Sequence, residues 1–530
     1  MEFDVVVRGG MVFDGQGRPP KRADVGMAGD RIAVIGSLEA SSAVTIVDAT
    51  GLAVAPGFID SHTHSDMACF LGPGHDSLVT AAVRQGVTTE VCGNCGFSPF
   101  PCPPGRTEEL ERHLGTLFAS PAIGWTDLAG YSDALHASGL TGNLAPLVGH
   151  GSLRAAVMGF EDRPAHPHEL VEMTRLLDEA LEQGALGLSS GLVYMPGAAA
   201  AGEELAALAR SVKSHHRVYT THIRGETDMV AESVAEAIRV GRDTSVPVHI
   251  SHHKVCGRQN YGRTEETLEL VASSRRAGLD VTMDVYPYTA ASTLLYAMLP
   301  NWVQAGGLDA MVERLQDAMV RDRIRREFED GAREWQNIPR AAGWEGIVIS
   351  NCPGRTELEG RSVKELASDA GTTAPDYVFD LLVEQRGQVM MIVHMMDEAD
   401  VRRVLAYEGT MIGSDGIPLP GKPHPRWAGT FARVLGRYSR EIGLFDLATA
   451  VHKMTSMTAE RFGLAGRGIL APGAYADLVV FDPGSVSDKA TFESPLAAPT
   501  GIRHVFVNGG HVMRDGVMTG ARPGRVVSAR

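Results

Sequence analysis

The chain has 530 residues, 44% of them apolar and 21% charged, enough to bury a sizeable core and to hold more than one domain. Its formal net charge of -15 and the lack of any uninterrupted basic run argue against nucleic acid, whose phosphates demand clustered Lys and Arg. No apolar stretch approaches the ~20 residues a membrane-spanning helix needs, and Met1-Glu2-Phe3-Asp4-Val5-Val6-Val7-Arg8 begins an acidic strand-like alternation instead of a secretion signal. The expectation is a cytoplasmic protein with a small-molecule partner, no nucleic acid and no membrane.

Residues 1–55 carry turn signals such as Arg8-Gly9-Gly10 and no helix-length periodicity, so they read as short strands. Residues 467–530 have the same character, with Ala476-Asp477-Leu478-Val479-Val480-Phe481-Asp482 and His504-Val505-Phe506-Val507-Asn508-Gly509 as strands. The two ends are expected to pair into one small β-sandwich domain. Between them, over 56–466, short apolar runs alternate with amphipathic helical segments at 169–182, 202–214 and 229–242. That alternation predicts an α/β fold, a TIM-like (β/α)8 barrel with strands near 58–60, 88–92, 144–148, 185–188, 218–221, 246–250, 281–285 and 411–413. Two further runs, 347–350 and 390–394, also have strand character, which leaves the strand count open. A charged helical insertion over 301–345 is either a solvated decoration or a lid over the site.

The carboxyl ends of barrel strands form one face, so residues far apart in sequence converge there. The first strand leads into Pro56-Gly57-Phe58-Ile59-Asp60-Ser61-His62-Thr63-His64-Ser65-Asp66. In extended backbone His62 and His64 project from the same face, so both imidazoles can meet one metal ion. Other chemically useful residues follow the later strands: Cys95, His150, Tyr194, His222, the His252-His253-Lys254 run, Tyr286 and Asp415. Six cysteines in so long a chain do not make a disulfide framework; metal binding is the better use for one.

The ordered motifs PGFIDSHTHSD (56–66), GNCGFSP (93–99), LVGHGSLR (147–154), GLSSGLVYMPG (187–197), THIRGE (221–226), HISHHK (249–254), DVYPYTA (284–290), GSDG (413–416) and HPRWAGTFARVLG (424–436) span nearly the whole chain. Together they resemble the D-aminoacylase, or N-acyl-D-amino-acid deacylase, family of the amidohydrolase superfamily. The resemblance implies zinc-dependent hydrolysis of the amide bond of N-acyl-D-amino acids. It implies a tight zinc site of Cys95, His222 and His252, with His62 and His64 marking a second, weaker metal position. Many superfamily relatives place a bridging lysine after the fourth strand, but here that strand reads Ala185-Leu186-Gly187-Leu188-Ser189-Ser190-Gly191, and by resemblance Cys95 replaces it. Asp415 resembles the catalytic aspartate, suited to take a proton from water and deliver it to the leaving nitrogen. Tyr194 or a histidine would be a second donor to the oxyanion. Lys254, Tyr286 and Arg426 would grip the α-carboxylate of the substrate.

Some neighbours are expected to stand aside. His249 and His253 should face away from the ligand His252, while His150 and His394 are either supports of the site or ordinary hydrogen-bonded histidines. The segment 285–300 has no Lys or Arg and contains Leu294, Leu295, Tyr296, Met298 and Leu299, which predicts a preference for apolar side chains. Two rivals remain at this point: a cyclic-amide hydrolase of the hydantoinase or dihydroorotase kind, and a non-catalytic scaffold. The missing lysine speaks against the first, and the retention of Cys95, His222, His252 and Asp415 together against the second.

Overall fold

A strand flanked on both sides by parallel neighbours is covered on both faces, and Val87–Cys92 is buried at every position, Thr88, Thr89 and Glu90 included. The computed structural model describes residues 2–38, 41–72, 74–115, 117–118, 122–330 and 335–529. In it the barrel strands are, in order, Phe58–Asp60, Val87–Cys92, Asn143–Pro146 continued by Val148–Gly149, Gly187–Gly191, Val218–His222, Val248–Ile250, Val281–Val285 and Thr410–Ile412. Each is hydrogen-bonded to the next in parallel register. The ring closes beside the site. The Ser61 N–H donates to Ile412 O at 3.4 Å, and the Asp415 N–H to His62 O at 2.8 Å. The expected barrel is therefore present.

Helices cover its outside. Pro167–Glu182 begins with Pro at its first position and a capping box between His166 and Glu169, and buries the stripe Met173, Leu176, Leu177, Ala180 and Leu181. Gly202–Ser214, Val230–Thr244 and Thr264–Arg276 likewise each bury one stripe of residues. Among the described residues no helix is long and apolar enough to cross a membrane.

The two chain ends meet where Ala53–Pro56 pairs antiparallel with Leu478–Phe481, giving one continuous nine-stranded sheet. The first strand, Phe3–Val12, branches it by pairing with Lys21–Ala28 and also with Ala43–Asp48 and Ala53–Pro56. Val7, Val25, Val54, Val480 and Phe506 fill the core between its parts.

The runs left open by the sequence form a separate layer. Ala290–Leu294, Met390–His394 and Ile347–Asn351 make a three-stranded antiparallel sheet, so the chain leaves the barrel after Val285 and returns to it at Thr410. The helices Asn301–Gln304, Gly307–Arg314, Ala318–Asp330 and Ile338–Ala342 lie within this excursion. They are more than a solvated decoration: Phe328 stacks on Phe379 with ring centroids 6.4 Å apart, and Ile338 is buried.

Candidate active site

The loops after the barrel strands bring together two overlapping donor sets, His62, His64, Cys95 and Asp415, and Cys95, His222 and His252. Within each set the ligand atoms lie within 4.8 Å of one another. Cys95 belongs to both. Its Sγ is 3.3 Å from His62 Nε2 and 3.3 Å from His252 Nε2. Asp415 Oδ1 lies 3.4 Å from His62 Nε2 and 3.3 Å from His64 Nε2.

The backbone is bent to achieve this. Cys95, His252 and Asp415 have φ of 52°, 35° and 51°, a region L-residues seldom occupy, and such strain persists only where the surroundings impose it. Gly93 and Gly96 flank the bend at Cys95, also with positive φ. A Cβ on Gly93 would come within 2.2 Å of Leu147 O, so the loop needs glycine there.

The donors fit a divalent ion of borderline softness. Thiolate and imidazole are strong zinc ligands, and neither ring nitrogen of buried His222 finds a hydrogen-bond partner. Burial raises a thiol's pKa, yet His62 and His252 outweigh it and hold Cys95 well below its ordinary value, as a thiolate.

A ring of charged residues supports these ligands. Asp284 Oδ2 reaches His249 Nε2 at 2.8 Å and His62 Nδ1 at 3.4 Å, while Oδ1 accepts the His252 N–H at 2.8 Å. Glu226 Oε1 lies 3.2 Å from His252 Nδ1 and accepts from Lys254 Nζ at 2.5 Å. Sequence reasoning gave neither carboxylate a role. The signal for Asp284 was its place as an acid inside an apolar strand, and for Glu226 its place in the THIRGE motif. Burial opposes ionisation of both, but their basic neighbours prevail and hold them far below the usual carboxylate range.

Arg426, fully buried, sets Nη1 2.8 Å from Asp415 Oδ2 and donates through Nη2 to Ser292 O at 3.2 Å. Burial would raise Asp415; Arg426 and then His252 outweigh it and hold the carboxyl well below its ordinary value. Tyr286 is buried behind the cleft wall, with the Arg426 guanidinium 4.7 Å and Lys254 Nζ 5.6 Å from its ring centroid. Lys254 does line the cleft, already paired with Glu226. Tyr194 lines it too, its ring 5.2 Å from that of His222 and its hydroxyl 2.8 Å from Thr293 Oγ1.

The other histidines stay outside the two donor sets. His253 Nε2 reaches Thr267 Oγ1 at 2.8 Å, and His249 bonds Asp284 and Thr282. His150 lies 2.7 Å from Glu204 Oε1, where Arg154 also binds, and His394 packs against Phe492 on the inserted sheet. The two donor sets open into one cleft. Leu117, Leu294, Ala297, Ile338, Met395 and Ile417 give it an apolar wall, and Gln336 and Ile338 come from the inserted excursion.

Beside this site, another acid group behaves differently. Asp60, Asp66 and Glu90 are buried, Asp60 Oδ2 and both Asp66 carboxylate oxygens lack partners, and burial pushes the three pKa values up to about 7, 7 and 8.

Known proteins share this architecture along the full chain. A D-aminoacylase of Alcaligenes xylosoxydans xylosoxydans is 43% identical over 99% of this chain and 98% of its own. A D-aminoacylase structure, described as having a binuclear metal centre with one-metal activation and second-metal attenuation, superposes with a TM-score of 0.83 at 41% identity, covering 99% of this chain and 100% of that one. The N-acyl-D-glutamate deacylase of Bordetella bronchiseptica, solved with zinc and a phosphonate mimic of the tetrahedral intermediate, gives 0.84 at 37% identity and covers 100% of both chains. The amidohydrolase family profile matches residues 45–513, and with these whole-chain likenesses the chain belongs to the amidohydrolase family, among the D-aminoacylases and related N-acyl-D-amino-acid deacylases.

Proposed function

We propose that this chain is a zinc-dependent N-acyl-D-amino-acid deacylase, hydrolysing the linear amide to a carboxylate and a free D-amino acid, and that it acts in the cytoplasm. The observation that carries the reading is the convergence of Cys95, His222, His252 and Asp415 on one cleft, in a chain alike over its whole length to D-aminoacylase. Handedness rests on those relatives alone.

Cys95, His222 and His252 would hold the tight zinc, and His62, His64 and Asp415, with Cys95 shared, a second position. Zinc there supplies Lewis acidity toward the amide carbonyl and toward water. The protein's own groups do the rest. Arg426 occupies Asp415 Oδ2, so Oδ1, which faces His62 and His64, is the oxygen turned to the metal cradle that would take a proton from the attacking water and pass it to the leaving nitrogen. Tyr194 presents its hydroxyl as a donor to the oxyanion, steadied by Thr293. Lys254 meets the substrate carboxylate in the cleft, and Tyr286 and Arg426 back it from behind.

The apolar wall suits leucine, methionine or phenylalanine side chains. Among the described residues the one Lys or Arg of the cleft wall is Lys254, already paired, so an acidic side chain would find no spare cation. Amine release from N-acetyl-leucine and N-acetyl-methionine, each as D and L forms, tests the reading, with hydantoin and dihydroorotate alongside. Selective turnover of the D forms is expected; silence on all of them with turnover of a cyclic amide would overturn it.

A further inference from the structure

Glu226 is fixed from both sides. Its N–H donates to Gln336 Oε1 at 3.3 Å and its carbonyl accepts the Cys256 N–H at 2.7 Å. Its buried carboxylate thus stands at a set place, beside His252. The His252 ring turns Nε2 toward Cys95 Sγ, at 3.3 Å, and can offer a lone pair there only if the proton sits on Nδ1. Two groups contend for Nδ1: Lys254 Nζ at 2.8 Å, which can only donate, and Glu226 Oε1 at 3.2 Å, which accepts. If Lys254 donates to Nδ1, the proton of a neutral ring is driven onto Nε2 and blocks it. If Nδ1–H is donated to Glu226, Nε2 keeps its lone pair for a metal ion that it would share with the Cys95 thiolate. Lys254 has other acceptors, Glu226 Oε1 at 2.5 Å and His252 O at 3.2 Å, so it need not win.

We propose that Glu226 is a positioning residue that selects the metal-competent tautomer of His252, and that Lys254 opposes it. The carboxylate thereby ties the metal ligand to the lysine of the substrate pocket, so zinc affinity depends on which acceptor Lys254 takes. The inference rests on the metal-binding reading of the site and is independent of which amide is the substrate.

The test compares zinc affinity by chelator competition, on the full chain, for the wild type, Lys254→Met and the double variant Glu226→Leu with Lys254→Met. The double variant leaves no unpaired buried charge, which such a site usually tolerates. Lys254→Met should bind zinc more tightly than the wild type, because the competing donor is gone. The double variant should bind about 10–100-fold more weakly than Lys254→Met, and the thiolate-to-cobalt absorption of its cobalt-substituted form should shift as His252 swings. Damage to packing alone would weaken both variants. The proposal is overturned if Lys254→Met weakens zinc binding, or if the double variant matches it in affinity and spectrum. A wild type that binds no stoichiometric zinc would instead remove the metal reading beneath it.

Discussion

Two groups of buried carboxylates share the mouth of one barrel and are driven toward opposite protonation states. Asp284, Glu226 and Asp415 are as deeply buried as Asp60, Asp66 and Glu90, yet the first three are ionised and the second three are pushed toward the protonated form. Burial opposes charge in both. The difference lies in the neighbours: His249 and His62 face Asp284, Lys254 faces Glu226 and Arg426 faces Asp415, whereas Glu90 has Asp60 and Asp66 beside it. Charge inside this barrel is therefore spent where cations from other strands arrive to balance it, and those places surround the metal cradle.

Removing the shared ligand is the strongest way to break the first group. Cys95→Ala should lose stoichiometric zinc and all measurable turnover, as read by metal analysis and amine release; a variant that kept its metal would show the ligand set to be wrong. Next in size is the effect of offering the site a second carboxylate. With Lys254, the one Lys or Arg of the cleft wall among the described residues, already paired with Glu226, kcat/KM for N-acetyl-D-leucine should exceed that for N-acetyl-D-glutamate by about 100-fold or more. Equal values, or a preference for the glutamate, would mean that a cation is free after all.

The second group offers a smaller, pH-dependent effect. The Glu90 carboxyl is raised from 4.5 to about 8, so the folded state disfavours the ionised form and the penalty accumulates from about pH 4.5 upward, saturating above about pH 8. Glu90→Gln should equal the wild type in stability near pH 4 and exceed it by a few kcal/mol, on the order of one pKa unit per 1.4 kcal/mol, above pH 8. Denaturant unfolding across that range measures the difference. A gap that is flat or shrinks as pH rises would mean Glu90 is ionised like its neighbours.

Much of the frame could be read from the chain because strands buried on both faces stand out as short apolar runs. The fourth strand was placed at 185–188 and runs instead from Gly187 to Gly191, since Ser189 and Ser190 are polar but bond Gly93 O and Tyr219 inside the barrel. The inserted sheet was beyond periodicity: its antiparallel pairs join segments as distant as Thr293 and Met391, and no local pattern states that register. The ligand types were legible from motif and chemistry. Their supports were less so, because Asp284 acquires meaning only when His62 and His249 arrive beside it from other strands. Arg426 is the clearest case. Its pairing with Asp415, which the loop between them brings to 2.8 Å, is stated by no local pattern.

The most direct measurement is a zinc titration of the metal-free chain and of Asp415→Asn, following hydrolysis of N-acetyl-D-leucine and bound metal together. The wild type should gain activity in step with tight zinc binding. Asp415→Asn should take up the same tight zinc while its turnover falls by about 10²–10⁴-fold, as expected for loss of a general acid and base. Turnover within a few-fold of the wild type, or full activity without metal, would contradict the account.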